Sequence, residues 1–210
     1  MPIDLQTIDT GTARLRVAVA GEGPLIVLIH GFPESWYSWR HQIPVLVEAG
    51  FRVAVPDVRG YGGSDRPHAI ESYAIEELSG DIAGLIAALG ARHAVVIGHD
   101  WGAPIAYATA LLHPACVRAV AGLSVPYAGR GPVPSVELYR KIYQDRFFYQ
   151  LYFQEPGVAE AELESCIRTS LRKFYYWGSG ECEKQTTGSQ IRQDRDCSIA
   201  WSIPRRFHPG

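Results

Sequence analysis

The chain has 210 residues, 20 Lys+Arg against 22 Asp+Glu, a formal net charge of −2, and is 47% hydrophobic and 20% charged. That length suits one domain with a small accessory piece, and the composition argues against wholesale disorder. So even a charge balance gives no long-range pull toward nucleic acid or anionic lipid, and neither is expected as a partner.

No apolar run approaches the ~20 residues needed to span a bilayer, so no membrane segment is expected. The start, Met1-Pro2-Ile3-Asp4, lacks the basic flank and apolar stretch of an export signal, which leads to the expectation of a cytoplasmic protein. Cys116, Cys166, Cys182 and Cys197 are far apart, with no C-x-x-C pair, and read as free thiols.

Leu15, Val17 and Val19, alternating with Arg14 and Arg16, predict a half-buried strand. Leu25–Ile29 is an uninterrupted aliphatic run, the pattern of a strand buried on both sheet faces. Trp39, Ile43, Leu46 and Val47 recur at helical spacing before Gly50, and residues 53–55 form another short aliphatic strand. A stripe of Ile75, Leu78, Ile82, Leu85, Ile86 and Leu89 predicts a helix ended by Gly90. Residues 94–97 read as strand, 105–112 as a helix stopped by Pro114, and 117–125 as strand. Such βαβα alternation predicts a mostly parallel sheet with helices on both faces.

Beyond Pro126 the texture changes, with residues 127–178 rich in Tyr, Phe, Leu and Glu at helical spacing and without an aliphatic strand run. The expected organisation is a core over residues 1–126, a helical lid over 127–184 and an irregular tail over 185–210.

Chemistry concentrates at Gly98-His99-Asp100-Trp101-Gly102, between a strand and a helix. This is the layout of a nucleophile elbow, G-x-Nuc-x-G, with Asp where a serine hydrolase carries Ser. Glycines permit the tight turn, the middle side chain is exposed at the sheet edge, and the helix N-terminus favours an anionic carboxylate. On the residues alone, Asp100 as a plain helix N-cap is an equal alternative. His30-Gly31-Phe32-Pro33 follows the 25–29 strand, where such hydrolases place an oxyanion-hole N–H. There the Phe32 N–H would pair with that of Trp101, and His30 reads as structural. Asp57 and Arg59 look like a charged pair in a turn and also read as structural. The glycines at 60, 62 and 63 cradle no phosphate, because no G-K-[ST] follows.

The segments His30-Gly31-Phe32-Pro33-Glu34-Ser35-Trp36, Asp57-Val58-Arg59-Gly60-Tyr61-Gly62-Gly63-Ser64, Gly98-His99-Asp100-Trp101-Gly102 and Tyr149-Gln150-Leu151-Tyr152-Phe153 together resemble a soluble-type epoxide hydrolase of the α/β-hydrolase family. The resemblance runs over residues 10–178 in the correct order. It implies an α/β-hydrolase core with a helical lid and a cofactor-free, metal-free reaction between a small apolar epoxide and water. Asp100 would attack an epoxide carbon to form an alkyl ester, with Tyr149 as general acid on the departing oxygen. Phe32 and Trp101 would form the oxyanion hole. Pro33, Trp101 and Tyr152 would line the substrate pocket.

The family's sheet continues past the lid with strands that carry the catalytic carboxylate and histidine. No aliphatic strand run follows residue 125 here, and His208 is the only histidine beyond His113. The expectation is therefore a core lacking its final strands and helices, with impaired turnover. Two alternatives stand beside it: a haloalkane dehalogenase, which uses the same Asp nucleophile, and a non-catalytic remnant.

Overall fold

A computed structural model describes residues 3–129, 131–144 and 146–179. These residues form two compact units that divide at position 130.

The first unit is built on a six-stranded sheet of order β1-β2-β4-β3-β5-β6. Its strands are β1 (Asp4–Asp9), β2 (Arg14–Ala20), β3 (Leu25–Ile29), β4 (Arg52–Pro56), β5 (Ala94–His99) and β6 (Val117–Leu123). β1 and β2 run antiparallel to their neighbours, while β4, β3, β5 and β6 are mutually parallel. Three helices connect them: α1 (Gln42–Glu48), α2 (Ile75–Ala88) and α3 (Gly102–Leu112). Gly50 and Gly90, just past α1 and α2, have φ of 86° and 72°. Both end their helices in the left-handed conformation that favours glycine.

Each face of the sheet has its own core. Leu15, Val17, Val27 and Ile29 pack with Ile82, Leu85 and Ile105 on one side. Ala18, Leu28 and Val55 pack with Trp39 and Ile43 on the other. β3 is buried along its whole length, as an aliphatic strand covered on both faces must be. Burying each such side chain contributes about 1.5–3 kcal/mol, so β3 and β5 form a stiff base for the loops at their ends. The register pairs Leu25 with Ala94 and Ile29 with Gly98, which brings the His30 and Asp100 turns out side by side.

Three details differ from the sequence reading. β1 is a strand although four of its six residues are polar, because it lies at the sheet edge and only Gln6 and Ile8 are partly covered. β6 stops at Leu123, where Ser124 takes a positive φ of 69°. Asp57 and Arg59 do not pair with each other. Asp57 accepts from Arg16 Nε at 2.7 Å, and Arg59 bonds Asp81 on α2 through Nε at 2.8 Å and Nη2 at 2.6 Å. Both carboxylates are buried, so each turn residue is tied to a different element.

The second unit holds short helices: α4 (Ser135–Ile142), α5 (Tyr149–Tyr152), α6 (Val158–Leu163) and α7 (Ile167–Gly178). Its contacts are largely aromatic; Phe148 stacks on Tyr143 at 4.2 Å and meets Tyr139 edge-on at 4.9 Å. Among the described residues no helix is long and apolar enough to cross a membrane. The tail and His208 lie outside the described residues.

Candidate active site

The turn between β5 and α3 presents Asp100 at a positive φ of 51°, unusual for a residue with a side chain. Three glycines make the arrangement possible. A Cβ on Gly98 would strike the Gly102 carbonyl, one on Gly102 the Ile29 carbonyl, and one on Gly31 the Asp100 side chain. The strand end, the elbow and the loop after β3 therefore approach at backbone distance. The Asp100 backbone is held on both sides: its N–H donates to Leu123 at 3.3 Å, and its carbonyl accepts from Ala103 at 3.0 Å.

The carboxylate does not cap α3. That helix starts after Trp101 without a side-chain cap. Instead Asp100 Oδ1 accepts the Phe32 N–H at 2.9 Å. Oδ1 is thereby engaged by the loop that follows β3. The N-terminus of α3 adds a favourable dipole for this anion. Trp101 follows at the head of α3, half exposed.

The loop that supplies Phe32 is itself braced. Glu34 N–H donates to the Gly31 carbonyl at 3.0 Å, while Glu34 Oε2 accepts the Gly31 N–H at 3.1 Å and lies 3.4 Å from His99 Nδ1. His30 is 1% exposed and is the structural residue its position suggested. Its Nδ1 contacts the Gly31 carbonyl at 2.8 Å, and its Nε2 accepts the Val58 N–H at 3.0 Å. Those partners require the neutral ring with the proton on Nδ1. Burial also pushes the His30 pKa down. Tyr61 meets His30 edge-on at 5.0 Å. Its hydroxyl is pushed up to about 12 by burial and, secondarily, by the Asp100 charge, so it stays protonated.

Phe32, Pro33, Asp100 and Trp101 thus meet at one end of the first unit. Tyr149 and Tyr152 belong to α5 of the second unit, where their hydroxyls differ. Tyr152 Oη donates to Glu162 at 2.7 Å, and burial followed by that carboxylate pushes its pKa up to about 12. Tyr149 Oη accepts from Gln150 Nε2 at 3.0 Å, a bond that leaves its own proton to be given elsewhere. Sequence reasoning missed Glu34, His99 and Tyr61. All three sit inside the motifs, but only the fold turns Glu34 toward Gly31 and His99, and Tyr61 toward His30.

Residues 24–167 match the model of the alpha/beta hydrolase fold family. Epoxide hydrolase A of Mycobacterium tuberculosis is 52% identical over 169 residues, covering 80% of this chain and 52% of that protein. Bifunctional epoxide hydrolase 2 of Rattus norvegicus is 50% identical over 163 residues, covering 77% of this chain and 29% of that protein. The crystal structure of epoxide hydrolase A from Mycobacterium thermoresistibile superposes with a TM-score of 0.80 at 51% identity, over 83% of this chain and 56% of that one. The chain spans about half the length of the mycobacterial relatives it matches.

Proposed function

We propose, from the premise that the chain belongs to the alpha/beta hydrolase fold family, that it carries the ester-forming chemistry of an epoxide hydrolase. Asp100 Oδ2 attacks an epoxide carbon, the ring C–O bond breaks, and the ring oxygen takes a proton from Tyr149. The product is a hydroxyalkyl ester of Asp100. Asp suits this step because a carboxylate opens a strained ring without prior deprotonation, and its ester, unlike a seryl ether, can be cleaved by water. Hydrolysis follows when water attacks the ester carbonyl. The oxyanion then forms on Oδ1, the atom already bonded to the Phe32 N–H, with the Trp101 N–H as second donor. Pro33, Trp101 and Tyr152 form apolar walls for the substrate, and no cofactor or metal takes part.

The observation that carries this reading is the 2.9 Å bond from Phe32 N–H to Asp100 Oδ1, on a carboxylate held at positive φ. The mycobacterial and mammalian relatives support the choice of epoxide. Among the described residues the one His–carboxylate pair is His99–Glu34, and that carboxylate is already engaged with Gly31. General-base assistance to the attacking water contributes about 10²–10⁴-fold. Rapid quenching after exposure to styrene oxide should trap a hydroxyalkyl ester, at most one per chain. The absence of any ester would overturn the reading, and halide release from a haloalkane with no reaction toward epoxides would favour a dehalogenase.

A further inference from the structure

At the N-terminal end of the parallel strands, away from Asp100, a cleft of about 670 Å³ opens within the first unit. The length of β5 separates the two ends by about 20 Å. Arg52, Arg92, His93 and Arg118 line the cleft together with apolar groups that include Pro24, Phe51 and Leu89, and among the described residues no carboxylate lines it. This concentration of one sign is notable in a chain whose net charge is −2.

The cations divide by commitment. Arg52 Nη1 donates to the Leu89 carbonyl at 2.9 Å, which covers the C-terminal end of α2 that would otherwise repel an anion. Arg118 Nη1 lies 3.4 Å from His93 Nε2, a contact that uses a single donor of its guanidinium fork. Arg92 enters no ion pair among the described residues. Two guanidiniums therefore stand with uncompensated charge beside an apolar floor. Guanidinium forks match phosphate and carboxylate oxygens. A single carboxylate balances only one of these charges, and the floor rewards an apolar tail.

We propose that this cleft binds a dianionic headgroup on a short apolar body, the chemistry of an alkyl phosphate monoester. The site is independent of the nucleophile and of the reaction proposed for it.

Calorimetric titration of the 210-residue chain with butyl phosphate tests this directly. Saturable binding to one site is expected, with a dissociation constant of about 1 mM or tighter. Arg118→Gln and Arg92→Gln, both at exposed positions, should each weaken it at least about tenfold without changing the melting temperature. Inorganic phosphate, pentanoate and n-butanol should each bind more weakly than butyl phosphate. Absence of saturable binding would overturn the proposal, as would equal affinity for n-butanol or pentanoate, or wild-type affinity in both arginine variants.

Discussion

The two units of this chain solve different physical problems. Of the buried hydrophobic side chains among the described residues, all but Ala159 belong to the first unit. There the fold fixes backbone: three glycines at close approach, a positive-φ aspartate and a braced loop bring Asp100 to the Phe32 N–H. In the second unit short helices are joined through aromatic contacts and exposed hydrogen bonds, and what distinguishes one tyrosine from another is its local partner. Position is guaranteed by burial in the first case and by a few polar contacts in the second. A core residue should therefore fail through stability, and a tyrosine of α5 through rate alone.

The largest expected effect is on rate. Tyr149→Phe should slow adduct formation on Asp100 by about 10²–10⁴-fold, the usual cost of losing a general acid. Tyr152→Phe should change it little, because that proton already serves Glu162. Rapid-quench mass spectrometry of both variants measures this, and the reverse ranking would transfer the acid role to Tyr152.

Next come stability differences between the units. Asp81→Ala takes the nearest carboxylate from the Arg59 guanidinium and leaves it Glu77 at 3.8 Å; with the Arg59 side chain 4% exposed and that of Asp81 3%, the loss should be about 3 kcal/mol in urea unfolding. Glu162→Gln removes an exposed carboxylate and should cost less than about 1 kcal/mol. Equal losses would erase the contrast between a buried frame and a surface-held helix.

Smaller, and dependent on pH, is the effect of His30. Its folded pKa lies below the ordinary value of about 6.5 because burial disfavours the charged ring. Between that depressed value and about 6.5 the unfolded chain binds a proton that the folded chain refuses, so stability is fully present above this window and falls as pH drops through it. His30→Gln should cost about 1–3 kcal/mol near neutral pH through the disturbed bonds to Gly31 and Val58. It should also flatten the acid-side slope in thermal melts recorded from about pH 5 to 8.

The same contrast governs what the sequence made legible. β2 to β5 announce themselves because aliphatic residues in short runs have few other uses, and the glycine-flanked Asp100 is readable because the elbow constrains residue type at fixed spacing. β1 was hidden, since an edge strand has no need of apolar residues on both faces. The partners of Asp57 and Arg59 were hidden for another reason. Adjacency in a turn suggested a pair, whereas the sheet brings in Arg16 and α2 brings in Asp81, from 41 and 22 residues away. Glu34 reads as a surface charge until the 31–34 turn closes on itself. The choice between Tyr149 and Tyr152 came from resemblance, and the Glu162 bond that separates their hydroxyls has no signature in spacing.

The proposed chemistry stands on Asp100 Oδ2 as the nucleophile. Its most direct test is peptide-level mass spectrometry after exposure of the chain to styrene oxide, comparing wild type with Asp100→Asn. One hydroxyalkyl increment is expected, located on Asp100 and absent from the variant, whose amide is too weak a nucleophile to open the ring. The same increment on another residue, or its persistence in Asp100→Asn, would contradict it.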